Sequence, residues 1–590
     1  MSRSIRRRDI GADAPMLDAR MPDADVQAAD GDWPAEVPPL LRRIYAARGA
    51  ATHALAQPRL NRLLPPDGLG AVDAAAALLQ QAMATGRHIV VVGDFDCDGA
   101  TACAVAVRGL RMLGAQHVSY AVPNRIVHGY GLSPGLVDDL AALAPDLLVT
   151  VDHGIACLAG VAAAKARGWQ VLVTDHHLPG EHLPQADVIV DPNLPGDDFP
   201  SKALAGVGVM FYVLLALRRR LRDAGYFPGE PPDLSVLLDL VAVGTVADLV
   251  ALDANNRTLV AAGLRRLRAG RGCAGLRALI EVSRRQHAAL TAADIGFALA
   301  PRINAAGRLE DMALGIECLL CDDPRRAREL AEILDGINAE RRGVQQQMVG
   351  DAEDAIAALS FEVDGGRATI CLYREDWHPG VVGLVASKIK ERVHRPAIAF
   401  APSDAGSDLL RGSARSIAGF HIRDALAMVD ARHPGLIEKF GGHAMAAGLS
   451  LRLTALPRFQ AAFEQCAAEL LSPELLQDVI LSDGAIAPGE CAIGTALALR
   501  DGGPWGQGFP EPVFDDVFEI VSWKPVGEQH LKLELSWPGG TRRIPAIHFG
   551  GWNGEPPPPR ARIAYRLQPD DWRGGDAVQL VVVHRESVAG

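Results

Sequence analysis

Long apolar runs are missing: no stretch of about 18 such residues, the length a helix needs to cross a bilayer, occurs in the chain. The sequence therefore predicts no membrane-spanning helix. Arg6, Arg7 and Arg8 have no apolar segment behind them, so no secretory signal is predicted and the expected location is the cytoplasm. Cysteine is sparse as well. Nine residues, an odd number without framework spacing, argue for reduced and mostly buried thiols. The CxxC at Cys318 and Cys321 lies in an apolar helical run without a second pair or a nearby histidine, so it reads as core rather than as a zinc site. A positive net charge is also absent. At -12 the chain as a whole would repel a phosphate backbone, so any nucleic-acid surface has to be a local groove, built from arginine clusters such as Arg265, Arg266 and Arg268. A carboxylate-rich metal site would itself add to the negative sum, which bound cations cancel.

The 590 residues present exceed one core, and domains of about 100 to 200 residues predict three or four. Residues 1–70, rich in Ala, Asp, Pro and Arg, read as a partly ordered N-terminal arm. Over 71–320, Ala/Leu helices alternate with short Val/Ile/Leu strands, the pattern of a βαβ sheet and the candidate catalytic domain. Pro324 then opens a connecting helix within 321–360, with Leu330, Ile333, Leu334, Ile337, Val344 and Met348 spaced along one face. A second α/β region spans 361–470 and opens with a strand at 368–373. Over 471–590 alternating strands, Pro/Gly turns and Trp505, Trp523, Trp537, Trp552 and Trp572 predict a small antiparallel barrel, with at least half of these tryptophans in its core.

Four acidic and histidine-rich motifs stand out: GDFDCDG at 93–99, VDHG at 151–154, TDHH at 174–177 and VADL at 246–249. The first three follow apolar, β-branched runs at 88–92, 147–151 and 171–174, which have the length and composition of buried parallel strands. Their polar side chains then cluster at the strands' carboxyl ends, where open α/β sheets place ligands. Asp94, Asp96 and Asp98 alternate along extended chain and can aim to one side. Three anions held together need cations. A calcium loop of the EF-hand type is excluded, because its twelfth position is Val105 rather than glutamate and a strand, not a helix, precedes it. Asp152 beside His153, and Asp175 beside His176 and His177, add mixed ligands that suit Mn²⁺, Mg²⁺, Fe²⁺ or Zn²⁺ in a site without thiolates. Asp248 follows an apolar segment, and a buried carboxylate there needs a metal or an arginine. Two decoys fall away. Residues 131–135 mimic a nucleophile elbow, but Pro134 lacks the N–H such an elbow uses. Gly206 and Gly208 lack the third glycine of a dinucleotide fingerprint and follow no predicted strand.

In this order and spacing the motifs resemble the DHH phosphoesterase family. VPNRIVHGYGLS at 122–133, FPSKALAGVGV at 199–209, APRINAAGRL at 300–309, GSARS at 412–416, FGGHAMAAG at 440–448 and GPWGQGFPEPVF at 503–514 narrow the likeness to its single-strand exonuclease branch. So does the long stretch at 377–400. The resemblance implies an α/β multidomain fold: a parallel-sheet DHH catalytic domain, a second α/β DHH-associated domain that binds nucleic acid, joined by a long helix, and a C-terminal OB-like β-barrel. It implies two divalent cations, Mn²⁺ or Mg²⁺, held by the catalytic set Asp96, Asp98, Asp152, His176, His177 and Asp248, with Asp94 a close neighbour and Asp152 the bridge. Many members carry a histidine just before the first motif; Val92 stands there instead, which implies fewer protein ligands for the first metal.

Substrate contacts are expected from Arg125, Arg302, Asn304, Arg308, Ser413, Arg415, Gly441, Gly442 and His443. Arginine's planar fork suits phosphate, and Arg125, Ser413 and Arg415 are the expected 5′-phosphate pocket. The barrel would stack bases, with Arg542 and Arg543 along the phosphates. The implied activity is 5′-to-3′ hydrolysis of single-stranded DNA to 5′-mononucleotides in repair and recombination, with a single-strand-binding protein and a helicase as candidate partners. Two other readings stay open. One is a DHH phosphodiesterase of short oligoribonucleotides or cyclic dinucleotides, against which the barrel counts. The other is a non-catalytic replication scaffold, against which the intact motif acids count.

Overall fold

Val- and Ile-rich runs too short for helices form the middle of a sheet that is buried on both faces. The computed structural model describes residues 3–8, 33–57, 59–124, 127–358, 367–404, 406–570 and 573–588. After β1 (Ser4–Arg7) come β2 (Ile89–Val92), β3 (Val118–Ala121), β4 (Leu147–Val151), β5 (Gln170–Thr174) and β6 (Val188–Val190), arranged β3-β2-β4-β5-β6. Every pairing in this sheet is parallel. The period of two sends Ile89, Val91, Val149 and Leu172 into the main core and Val90, Val92, Leu148 and Val173 into a second core on the other face. Helices Cys97–Met112, Gly206–Asp223 and Leu238–Ala247 supply the main core, and Pro134–Leu140 and Leu158–Ala166 the second.

Two compact units divide the chain: Arg7–Asn338 with Ser482–Gly590, and Met1–Arg6 with Ala339–Leu481. Helix Pro324–Ala358 carries the chain from the first into the second. Its buried stripe runs through Ala327, Leu330, Ala331, Leu334, Asn338 and Arg341, at steps of three and four. Ile333, expected on that face, is 45% exposed, because it falls between the turns that the stripe uses.

In the second unit β7 (Ile370–Tyr373), β8 (Ala397–Pro402), β9 (Leu409–Arg415), β10 (Lys439–Gly442) and β11 (Ala446–Arg452) make a sheet in the order β10-β11-β9-β8-β7. Only β7 and β8 run parallel. Phe400, Phe459 and Phe463 fill its core, the last two stacked with centroids 5.8 Å apart.

Strand β12 (Val479–Ser482) pairs with β1. Then β13 (Phe514–Val526), β14 (His530–Ser536), β15 (Arg543–His548), β16 (Arg560–Pro569) and β17 (Val578–Ser587) close into a barrel, β13-β14-β15-β17-β16. The β15–β17 pairing is parallel and the rest are antiparallel. The tryptophans divide differently from the expectation. Trp505 precedes the barrel and stacks on Phe509 and Tyr45; Trp537 packs on Phe518; Trp523 and Trp552 stack on each other, with Trp523 39% exposed. Trp572 lies outside the described residues. Arg542 donates to the carbonyls of Pro488 and Cys491, and Arg543 pairs with Glu534 at 3.2 Å.

The barrel shares its unit with the parallel sheet: Leu252 N–H donates to Gln507 O at 2.7 Å, and the Arg257 guanidinium lies 3.9 Å from the Phe509 centroid. Among the described residues, no helix is long and apolar enough to cross a membrane. Part of the N-terminal segment is fastened to this unit. Arg48, fully buried after helix Pro39–Ala46, forks onto Asp483 at 2.8 and 2.9 Å and donates to Ile44 O and Pro510 O. Removing one partner of a buried pair leaves a charge without compensation, so Arg48→Ala should destabilise this unit by about 3 to 5 kcal/mol in denaturant unfolding. A loss below about 1 kcal/mol, the range of a surface pair, would contradict the strut.

Candidate metal centre

Each acidic motif follows the carboxyl end of a strand or a helix, and the structure brings all four together. Three ligand triads, Asp94/Asp96/Asp152, Asp152/His176/His177 and Asp98/His176/Asp248, each hold their ligand atoms within 4.8 Å of one another. Asp152 and His176 each belong to two of them. Asp96 caps helix Cys97–Met112, its Oδ1 accepting Gly99 N–H at 3.0 Å. Asp98, in the first turn, accepts the amides of Gly206 and Val207 at 2.7 and 3.1 Å. Those are the first N–H groups of helix Gly206–Asp223, which otherwise have no helical acceptor. Asp152 sits in the left-handed region at φ 66°, a conformation that costs a non-glycine residue about 1 to 3 kcal/mol. Leu249, directly after Asp248, does the same at φ 62°.

Small residues make this closeness possible. A Cβ at Gly206 would come within 2.5 Å of the Asp152 Cβ, and one at Gly99 within 2.5 Å of the Asp94 amide nitrogen. A Cβ at Gly244 would strike Thr101 and Asp98.

The electrostatics explain what the pocket needs. Burial, reinforced by Asp96, pushes the Asp98 carboxyl up from 3.8 to about 7. Burial and the neighbouring acids raise Asp152 and Asp248 well above the usual range too. Oδ1 of Asp152 is buried and accepts no hydrogen bond, although His176 Nε2 stands 3.1 Å away. Burial alone would push the His177 imidazole down, but its 2.7 Å Nδ1 bond to Asp175 outweighs this and raises it to about 9. Burial would raise Asp175, yet His177 and four hydrogen bonds in all, those from His177 Nδ1 and the amides of Ile155, His176 and His177, hold it well below its usual range. A carboxylate on one imidazole nitrogen leaves Nε2 as the ligand atom, the usual orientation of a metal-binding histidine. Oxygen and nitrogen donors, crowded acids and a buried oxygen without a donor fit divalent cations. His153 is different: burial lowers it to about 4, and its Nε2 bonds Val92 O at 3.0 Å, tying β4 to β2. Val92 itself points into the second core, away from the acids.

The other expected site residues are dispersed. Asn304 Oδ1 accepts Cys97 N–H at 2.8 Å, and a Cβ at Gly307 would strike Phe95 O, so helix Ala300–Leu309 cradles the first acidic loop. Arg302 is buried, 2.7 Å from Asp335, and donates to Ala298 O. Arg308 ends the same helix. Arg125 lies outside the described residues. Ser413, Arg415, Gly441, Gly442 and His443 belong to the other unit, on or beside β9 and β10. There Arg415 Nη1 donates to Ser413 Oγ at 2.9 Å. A side chain at Gly383, in the first turn of helix Val382–Val393, would crowd both, 2.8 Å from Arg415 Nη2. Gly442 has φ 140°, within reach of glycine alone.

Sequence reasoning missed several supports. Asn193 Nδ2 donates to His176 O at 2.6 Å, and Tyr130 lies edge-on to both Phe95 and His177. Gly206 anchors Asp98 from 108 positions away, a pairing no local pattern signals. Phe297, 84% exposed, sits on a π-turn at Ile295–Leu299 whose Gly296 lies against Val246; π-turns mark functional positions, but a lone Phe in an apolar run gives no warning.

Comparison with known proteins agrees with this arrangement. The DHH family N-terminal domain matches residues 88–245, the DHHA1 domain 365–469 and the RecJ OB domain 482–584. The single-stranded-DNA-specific exonuclease RecJ of Dickeya dadantii is 49% identical over 94% of this chain and 97% of its own. The crystal structure of RecJ from Thermus thermophilus in complex with Mn²⁺ superposes with a TM-score of 0.77 at 32% identity, covering 94% of this chain and 77% of that one. Its Mg²⁺ complex gives 0.73 at 30% identity, covering 94% and 76%.

Carboxyls raised in the folded state bind protons that the unfolded chain has released. Metal-free stability from this pocket is therefore present near pH 4 and falls as pH rises toward about 7. In EDTA the melting temperature should drop between pH 5 and 7.5, the drop should shrink in Asp152→Asn, and Mn²⁺ should reverse it in the wild type. Equal pH profiles for variant and wild type would contradict the crowding.

Proposed function

The chain belongs to the RecJ family, and from that we infer that it is a single-stranded-DNA-specific exonuclease, hydrolysing phosphodiester bonds with two divalent cations, Mn²⁺ or Mg²⁺. One observation carries the reading: overlapping oxygen and nitrogen triads share Asp152, whose buried Oδ1 has no hydrogen-bond donor of its own. Asp94 and Asp96 would hold one cation, Asp98, His176, His177 and Asp248 the other, with Asp152 between them. When bound, the cations lower the pKa of water, orient in-line attack and neutralise phosphoryl charge. Asp175 fixes the His177 tautomer, and the Gly206 and Val207 amides fix Asp98, so the ligands need no rearrangement.

We assign 5′-to-3′ polarity to phosphate recognition by Arg415 and Ser413, supported by the guanidinium and the hydroxyl, which Gly383 lets pack close against its helix. Arg125, Arg308, Gly441, Gly442 and His443 are proposed as further contacts to the strand, with 5′-mononucleotides as products. Phe297 and the Trp523–Trp552 pair offer exposed faces on which bases can stack. The place of action is cytoplasmic DNA repair and recombination, with a helicase to expose the strand and a single-strand-binding protein to hold it.

Asp152→Ala and His176→Ala should each lower turnover of end-labelled single-stranded DNA about 10³-fold or more, with strand binding largely kept. Undiminished turnover in either variant would sink the metal assignment. Arg415→Ala should cost the preference for 5′-phosphorylated over 5′-hydroxyl ends about 10-fold, the worth of one charge-assisted hydrogen bond, chiefly through KM. Retention of the full preference would remove Arg415 from phosphate recognition.

A further inference from the structure

Helix Cys97–Met112 has the metal centre at its N-terminus, and its other end, about 24 Å away at 1.5 Å per residue, opens on a cavity of about 340 Å³. Arg108, Arg111, Arg266, Arg271, Asp239 and Asp322 supply its charged wall, with Leu240 and Leu320 among the apolar residues. Four guanidiniums face two carboxylates. Asp322 is already held by Arg108 at 2.8 Å. Asp239, 1% exposed in the first turn of helix Leu238–Ala247, accepts Cys273 N–H at 2.6 Å through Oδ2, while its buried Oδ1 has no hydrogen-bond partner. Arg266 donates from Nη2 to Arg271 O at 3.0 Å, and its buried Nε likewise has no acceptor. Unpaired buried polar groups are costly, and a donor and an acceptor without side-chain partners lie directly behind this charged wall.

A ligand that suits this cavity carries anionic oxygens for the arginines, an N–H or O–H for Asp239, and an apolar face for the leucine wall. Adenosine alone lacks the first and pyrophosphate lacks the last. We propose that this cavity binds a nucleoside phosphate: phosphate oxygens on Arg111, Arg266 and Arg271, a ribose hydroxyl or base amino group on Asp239, and the ring against Leu240 and Leu320. The volume lies in the usual range for small-molecule sites, about 300 to 1,000 Å³. Both helices that frame the cavity end at the metal centre, one with Asp96 and Asp98, the other with Asp248, so an occupant clamps the far ends of the elements that carry three metal-facing acids.

The test is calorimetric titration of the full chain with ADP, adenosine and pyrophosphate in EDTA, where the acid cluster, stripped of cations, repels phosphate. ADP should saturate one site per chain and bind more tightly than either fragment. Arg111→Glu/Arg271→Glu, a change at two exposed positions, should weaken ADP about tenfold or more and leave Mn²⁺-dependent exonuclease turnover without nucleotide within about twofold of wild type. Asp239→Asn, with an unchanged circular-dichroism spectrum, should weaken ADP and not pyrophosphate. No saturation by ADP at millimolar concentration, pyrophosphate binding as tightly as ADP, or equal affinity in the double variant and the wild type would each overturn the proposal.

Discussion

Five carboxylates, Asp94, Asp96, Asp98, Asp152 and Asp248, converge on one largely buried pocket, and in a medium of reduced dielectric their mutual repulsion is the force that the surrounding structure has to contain. Much of the containment is built from backbone. Helix N-terminal amides take Asp98, an N-cap bond takes Asp96, and Asp152 is held in a left-handed conformation against Gly206. The raised carboxyls, with Asp152 Oδ1 buried 3.1 Å from His176 Nε2 and without a well-formed hydrogen bond, follow directly.

The same constraint accounts for features that look unrelated along the chain. Glycines at 99, 206, 244 and 307 let backbone and side chains approach the acidic loops more closely than a Cβ would allow. His153 and Asn304 bond backbone groups beside the acids, where they hold the loops in place. Asp175 neither belongs to a ligand triad nor lies free; it orients His177 through Nδ1. Hydrolysis is thus prepared by fixed dipoles around the acids. The proposed strand contacts, Arg415 with Ser413 and the exposed aromatics, lie apart from these acids in sequence.

Local patterns carried much of this. The strands preceding the first three motifs were legible because fully buried parallel strands need unbroken β-branched runs, and the sheet places β2, β4 and β5 where those runs stand. The joint location of the acids was legible for the same reason: strand ends of a parallel sheet share one edge. What was not legible depends on partners far away in sequence. Nothing near Arg302 announces Asp335, and nothing near Gly206 announces Asp98. Gly206 and Gly208 fail as a dinucleotide fingerprint, yet the first amides of their helix do bind an anion, one supplied by the chain itself. Ile333 and the tryptophans were assigned by composition and spacing, which do not say which turn of a helix or which wall of a barrel meets solvent.

The central claim is that Asp152 holds two cations together because the acids around it cannot otherwise coexist. Anomalous diffraction from crystals of the full chain grown with Mn²⁺ tests it most directly. The account predicts two manganese peaks, about 3.5 to 4 Å apart, both ligated by Asp152. One peak alone, or two that leave Asp152 without a metal, would contradict it.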